Sequence, residues 1–86
     1  MRELVLHRRT AKYFERLEVR IQTQLRARFA QLAEDPFTVP GVRPMSGEWK
    51  GFFRLRHGDL RIIFMIDPAG TTVIIANIGP RGDVYK

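Results

Sequence analysis

The sequence predicts an α+β domain in which a helical hairpin packs on one face of an antiparallel β-sheet, in the order β-α-α-β-β-β. Hydrophobic residues recur at helical spacing before Pro36, and they alternate with a period of two between Trp49 and Ile78. The last three strands are joined by short turns, which favours antiparallel neighbours. Parallel βαβ repetition is absent, and a length of 86 residues predicts a single domain over 1–86.

The N-terminal half is predicted to contain a short strand and two helices. Alternation over residues 3–7 predicts the opening strand, and Thr10 is expected to cap the first helix. A longer amphipathic helix of about four turns begins at Val19. It ends before Pro36, because proline cannot continue a helix and restricts the residue before it. The segment from Pro36 to Gly47 contains three prolines and two glycines and is expected to be a loop.

The C-terminal half is predicted to form three strands. They are Trp49 to Arg56, Asp59 to Ile66 and Thr72 to Ile78, separated by turns at 57–58 and 67–70. In the first of these strands the even-numbered residues are expected to share the face that is turned away from the core.

Two arginines are expected to face each other across the first hairpin. With a two-residue turn at 57–58, Arg54 pairs with Arg61, and Phe52 pairs with Ile63. Like charges in directly opposed positions destabilise a sheet by up to about 1 kcal/mol, so such a pair indicates an anion-binding site. The alternative is a solvated sheet face on which the arginine stems cover apolar neighbours.

The composition favours an anionic partner. Fifteen lysines and arginines against nine acidic residues give a net charge of +6, and Lys12, Lys50 and Lys86 are the only lysines. The planar fork of arginine suits bidentate contact with phosphate, although arginine also serves on ordinary solvated faces. The chain has no cysteine, and His7 and His57 lack a carboxylate cluster around them, so neither a metal nor another cofactor is expected.

The N-terminus lacks the apolar segment of a signal peptide, and no apolar run approaches transmembrane length. A cytoplasmic protein without a membrane partner is therefore expected.

Two runs in the C-terminal half resemble RelE-type toxins of the RelE/ParE superfamily. They are WKGFFRLRHGDLRIIFMID and TVIIANIGPRGDVY, and the opening strand, the helical hairpin and the break at Pro36 also fit. The resemblance implies the RelE-like microbial RNase fold. It also implies a toxin that cuts messenger RNA in the ribosomal A site by attack of a ribose 2′-hydroxyl on the adjacent phosphate. The implied partners are a cognate antitoxin, the ribosome and messenger RNA.

The resemblance also implies roles for individual residues. Arg54 and Arg61 would hold the phosphate, and Arg81 would stabilise charge or protonate the leaving 5′-oxygen. Tyr85 would orient or deprotonate the 2′-hydroxyl. The residues expected to bind RNA beside this catalytic set share the strand face of Arg54: Lys50, Phe52 and Arg56.

Two positions depart from the family pattern. Phe52 stands where some members carry a second lysine, for which Lys50 on the same predicted face would substitute, and Pro80 stands where related sequences often have histidine. His57 is an alternative general base, although its position in a turn favours a structural role. The departures leave open a ParE-like toxin that inhibits DNA gyrase and cuts nothing, or an inactive relative that only binds an antitoxin.

Overall fold

A computed structural model of the protein describes residues 1–80. Its elements are, in chain order, β1 (Glu3–Leu6), α1 (Arg8–Glu15), α2 (Val19–Glu34), β2 (Val42–Pro44), a short 3₁₀ helix (Gly47–Trp49), β3 (Phe52–His57), β4 (Leu60–Ile66) and β5 (Thr72–Pro80). The strands form one five-stranded sheet in the order β1-β5-β4-β3-β2. The predicted α+β class is confirmed, and the predicted helices and strands occur in the predicted order with one further strand, β2, after α2. In the described part of the chain, no helix is both long enough and apolar enough to span a bilayer.

The sheet is mixed. Strands β2 to β5 pair antiparallel, as predicted for the last three, whereas β1 pairs with β5 in parallel. Parallel neighbours need a long connection, which the helical hairpin and the strands between β1 and β5 provide. The additional strand is β2, which lies at the edge beside β3 within the segment predicted to be a loop.

The core lies between the helical hairpin and one face of the sheet. The buried hydrophobic residues that form it come from both helices, the loop after α2 and strands β3 to β5: Phe14, Leu25, Phe29, Leu32, Val39, Leu55, Ile62, Phe64, Val73, Ile75 and Ile78. The rings of Phe14 and Phe29 contact each other with centroids 5.8 Å apart. Because the helices cover this face, alternate strand residues project from the opposite one, which we call the open face.

Helix α2 ends before Pro36, as predicted. Its C-terminal cap is Asp35, whose carboxylate accepts a hydrogen bond from the backbone of Phe37 at 3.1 Å. Pro36 itself is fully buried. The proline that ends the helix therefore also anchors the following loop in the core.

The β3–β4 turn differs from the predicted one. The two turn residues are Gly58 and Asp59, so that His57 pairs with Leu60. Gly58 has a φ of +58°. It therefore occupies the first turn position, where two-residue hairpins of type II′ favour glycine, and not the second.

This turn changes the partners of the arginines. The predicted pair of Arg54 and Arg61 is wrong, because Arg56 faces Arg61 and Arg54 faces Ile63. The predicted pairing of Phe52 with Ile63 is wrong for the same reason. The division of β3 and β4 into a core face and an open face is nevertheless as predicted, since a shift by two positions preserves the alternation.

A bulge interrupts the pairing of β4 with β5. Ile63 pairs with Asn77 while the next residue, Phe64, pairs with Ile75, so Ala76 is the extra residue. The alternation of β5 therefore changes phase at Ala76.

Thr10 lies against this bulge. Its hydroxyl donates a hydrogen bond to the carbonyl oxygen of Ala76 at 2.9 Å, and the residue is buried. The predicted helix cap at Thr10 is wrong, because α1 begins earlier and His7 is the capping residue, with Nδ1 accepting from the backbone of Arg9. Thr10 instead joins α1 to the sheet.

Asp67 organises the turn between β4 and β5, which lies where it was predicted. Its carboxylate accepts hydrogen bonds from the backbone amides of Thr71 at 2.8 Å and Thr72 at 3.0 Å, and from the Thr71 hydroxyl at 3.0 Å. The hydrogen bond from the Thr72 amide lowers the pKa of Asp67 most, and those from the amide and hydroxyl of Thr71 lower it further, so the pKa lies below its ordinary value of 3.8. The ionised carboxylate is therefore the form that stabilises the turn.

We expect Asp67→Asn to lower the thermal midpoint at neutral pH and to lose this effect in acid. A pKa that is lower in the folded than in the unfolded state stabilises the fold above the unfolded value, and this contribution disappears as the pH falls through the folded value. Thermal melts from about pH 7 to about pH 2 measure the difference. Asp59→Asn, which removes an exposed carboxylate in the other hairpin, is the control. The assignment is contradicted if the difference in thermal midpoint between wild type and Asp67→Asn stays the same at pH values below the ordinary pKa of the carboxyl.

Candidate active site

The open face carries three rows of side chains, each formed by residues paired across neighbouring strands. They are the hairpin row (Arg56, Arg61 and Gly79), the middle row (Arg43, Arg54, Ile63 and Asn77) and the far row (Phe52, Met65 and Ile74). The first two rows each contain two arginines and the far row contains none. The open face is therefore cationic near the β3–β4 turn and apolar at the other end.

The four arginines of these rows line a single cleft of about 280 Å³, which we call the arginine cleft. They are Arg43, Arg54, Arg56 and Arg61, and the other described lining residues, Gly41 and Leu55, are uncharged. Arg43, Arg54 and Arg56 are exposed and Arg61 is half-buried. The guanidinium groups therefore border a space that solvent and ligands can enter.

The chain before β2 is held by α2 and by a glycine. Arg28 of α2 donates a hydrogen bond from Nη2 to the carbonyl oxygen of Pro40 at 3.2 Å. Gly41 follows with a φ of +91°, a conformation that strongly favours glycine. These two features direct the chain into β2, where Arg43 lies beside Arg54.

The arrangement places like charges opposite each other twice, as Arg56 with Arg61 and as Arg43 with Arg54. Each such pair costs up to about 1 kcal/mol in a sheet, less where solvent screens it. Guanidinium groups that converge in this way match the oxygens of a phosphate, which two forks can hold by bidentate contacts. The cleft is therefore suited to an anion, and a phosphate fits its donors.

The predicted arginines of the strands are brought together. Arg54, Arg56 and Arg61 share the cleft although the predicted register was wrong, because the face on which each lies was predicted correctly. Arg81 and Tyr85 of the predicted catalytic set lie outside the described residues. The sequence-based reasoning missed Arg43, because three residues between prolines are too short to reveal strand alternation.

Two other predicted residues lie elsewhere. Lys50 was expected on the face of β3, but it is the exposed residue that caps the short 3₁₀ helix, before β3 begins. Phe52 does lie on the open face, where its ring meets that of Trp49 edge-on with centroids 5.3 Å apart. The position of Phe52 therefore supports its predicted role in RNA binding. The position of Lys50 does not support the role predicted for it.

His57 does not point towards the cleft. Its Nε2 is 3.1 Å from Oε1 of Gln24 in α2, so its ring lies on the helical side of β3, opposite to the arginines. A role as general base in the arginine cleft would require it to leave this contact. Within residues 1–80, no three His, Asp or Glu side chains gather as they would around a metal ion.

Comparison with known families gives a match over most of the chain. Residues 4–85 match the family model described as the ParE toxin of a type II toxin-antitoxin system, parDE. Toxin RelG of Mycobacterium tuberculosis is 34% identical over 58 residues, which are 67% of this chain and 64% of RelG. The chain thus spans less than two thirds of the length of this relative.

Solved structures share the fold. A chain of the RelBE2 toxin-antitoxin complex from Mycobacterium tuberculosis matches with a TM-score of 0.79 at 23% identity, over 93% of this chain and 98% of that one. Isolated RelE toxin from E. coli matches with a TM-score of 0.77 at 16% identity, over 99% of this chain and 92% of that one. YoeB/ParE toxin from Agrobacterium tumefaciens matches with a TM-score of 0.81 at 17% identity, over 92% of this chain and 98% of that one. The predicted RelE-like fold is confirmed.

We expect pyrophosphate to raise the thermal midpoint of the protein through the arginine cleft. An anion that binds only the folded state stabilises it, by about 1.4 kcal/mol at ten times its dissociation constant. Arg43→Gln and Arg54→Gln should each reduce the rise, whereas Arg16→Gln removes an exposed charge outside the cleft and should retain it. The measurement is a series of thermal melts at constant ionic strength. An equal loss in the cleft variants and in Arg16→Gln would show that the anion does not bind in the cleft.

Proposed function

This chain belongs to the ParE toxin family of type II toxin-antitoxin systems, within the RelE/ParE superfamily, and we propose that it is a ribosome-dependent endoribonuclease. It cuts messenger RNA in the ribosomal A site and so stops translation. The observation that carries the proposal is the convergence of Arg43, Arg54, Arg56 and Arg61 in one open cleft. Opposed arginines lower the stability of a sheet, and binding of a nucleic-acid phosphate offsets that cost.

In the proposed reaction the 2′-oxygen of a ribose attacks the adjacent phosphorus and the bond to the 5′-oxygen breaks. The products are a 2′,3′-cyclic phosphate and a 5′-hydroxyl. Arg54 and Arg61 hold the scissile phosphate and stabilise the charge that develops on it, and Arg56 and Arg43 contact the RNA backbone beside it. Holding the nucleophile in line with the leaving oxygen supplies much of the acceleration.

Proton transfer is assigned to the C-terminal residues implied by the family resemblance. Arg81 stabilises or protonates the leaving 5′-oxygen, and Tyr85 orients or deprotonates the 2′-hydroxyl. The contact of His57 with Gln24 on the helical side of β3 supports this assignment over a histidine base.

A ParE-like inhibitor of DNA gyrase is the second candidate function. The match to the ParE toxin family favours it, as does Phe52 at a position where some nuclease members carry lysine. The same scaffold also occurs as an inactive protein that binds an antitoxin. The four arginines of the cleft favour the nuclease over both.

The nuclease is tested by primer extension on messenger RNA after induction of the toxin. Wild type should produce cuts within translated codons, and Arg54→Ala and Arg61→Ala should each lower the single-turnover rate on programmed ribosomes by at least about 100-fold. Arg16→Ala, outside the cleft, should cut normally. Growth arrest without any cleavage would favour the gyrase candidate, whereas undiminished cleavage by Arg54→Ala would remove the cleft from the active site.

We also propose that a cognate antitoxin binds this toxin, as one does in the RelBE2 complex of similar fold. Exposed apolar side chains such as Val5, Val19 and Phe37 are available for a partner to cover.

We expect the thermal midpoint to rise when the antitoxin is added, because a partner that binds only the folded toxin stabilises it. A saturating partner at about 100 times its dissociation constant contributes about 2.7 kcal/mol. Melts of the free toxin and of the purified complex measure the shift, with an unrelated antitoxin as the control. A midpoint that the cognate antitoxin leaves unchanged would contradict the expectation.

A further inference from the structure

A second groove on the protein is lined by aromatic side chains. Tyr13 of α1, Trp49 and Phe52 border a space of about 500 Å³, together with Arg9 and Asn77, and we call it the aromatic groove. This volume lies within the range of about 300–1,000 Å³ that is typical of sites for small ligands. The rings of Trp49 and Phe52 meet at 82°, so they form a corner with one wall for the face of a flat ligand and another for its edge.

The aromatic groove and the arginine cleft are related through the residues that line them. A further depression of about 250 Å³ is lined by both Arg54 and Trp49. Arg54 also lines the arginine cleft and Trp49 also lines the aromatic groove. A single strand whose phosphate lies against Arg54 would therefore place the neighbouring nucleotide towards the aromatic rings.

We propose that the aromatic groove binds an unpaired nucleobase of the RNA whose phosphate lies in the arginine cleft, and that Asn77 selects among bases. The proposal rests on the proposed nuclease function and names the part of its substrate that this chain reads. Unpaired bases stack on aromatic side chains regardless of sequence. Arg9 in the wall of the groove and Arg54 in the depression that shares Trp49 favour an occupant that carries phosphates.

Asn77 reaches the groove because of the bulge in β5. If β5 ran through Ala76 as a regular strand without a bulge, the alternation that turns Val73 and Ile75 into the core would turn Asn77 there as well. With the bulge, Asn77 pairs with Ile63 in the middle row and lines the groove. Bulges commonly re-aim a side chain beside a functional site.

The amide of Asn77 is chemically suited to read a base edge. It offers a donor and an acceptor side by side, the combination that pairs in a bidentate way with the N6 and N7 positions of adenine. Two other polar side chains of the groove are already engaged, since the hydroxyl of Thr10 donates to the Ala76 carbonyl and Nδ1 of His7 accepts from the backbone of Arg9. Asn77 is therefore the specificity-determining residue in this proposal, and adenine is the favoured base.

Trp49 is the sole tryptophan of the chain, so its fluorescence reports directly on the groove. The probes are 2′-O-methyl hexanucleotides of adenosine and of uridine, which lack the 2′-hydroxyl needed for cleavage. We expect the adenosine probe to quench Trp49 in the full-length protein with the higher affinity. Pyrophosphate, which has no base, should leave the fluorescence unchanged.

Variants separate the two parts of the proposal. Phe52→Leu should weaken binding of the adenosine probe by about tenfold, whereas Phe37→Leu, which alters an exposed aromatic ring elsewhere, should not. Asn77→Leu should still bind, but the preference for adenosine over uridine should fall to about one. Far-ultraviolet circular dichroism and melting of each variant show whether it is folded.

The proposal is overturned if RNA leaves Trp49 unquenched, if Phe52→Leu and Phe37→Leu bind alike, or if Asn77→Leu keeps the adenosine preference. Quenching by an antitoxin alone, without any response to RNA, would assign the groove to a protein partner and would also overturn it. Because these readouts need no ribosome, they are independent of the nuclease test. Base binding without cleavage would overturn only the nuclease function, and cleavage without base binding would overturn only this inference.

Discussion

The pairing of β3 with β4 determines the chemistry of the open face. A two-residue turn at Gly58 and Asp59 sets which side chains meet across these strands, and it brings Arg56 and Arg61 opposite each other. Electrostatics alone would oppose this register, since it concentrates positive charge. Burial of Leu55, Ile62 and Phe64 against the helices sets the face of each side chain, and the turn conformation at Gly58 sets its partner all the same. Hydrophobic packing on one face of the sheet thus stabilises an unfavourable charge arrangement on the other.

The sequence predicts the face of the sheet on which a side chain lies better than it predicts the partner of that side chain on the next strand. Alternation in β3 and β4 assigned each arginine to the correct face, because that assignment depends only on a period of two. Which arginines are partners could not be obtained in this way, since Gly58 is compatible with either of the two turn positions. The ends of α2 were predictable from local chemistry at Val19 and Pro36. Strand β2 was not, because its three residues adopt that conformation only through pairing with β3.

The site therefore divides into a part encoded locally and a part created by tertiary contacts. Arg54 and Arg61 belong to the first, and they are also the residues that carry the resemblance to RelE-type toxins. Arg43 and Asn77 belong to the second, since one depends on an edge strand and the other on a bulge. A pattern read along the chain reveals the first kind. The second kind requires knowledge of what packs against each strand, such as Thr10 against Ala76.

The bulge at Ala76 makes β5 sensitive to its length. Side chains before it and after it follow alternations of opposite phase, and the strand is held to α1 at the point where they meet. Replacing a single side chain leaves both phases intact. Loss or gain of one residue within either regular part of the strand would instead exchange the inward and outward positions of the side chains beyond the change. In relatives that keep this architecture, insertions and deletions should accordingly collect in the turns that flank β5 and avoid the strand itself.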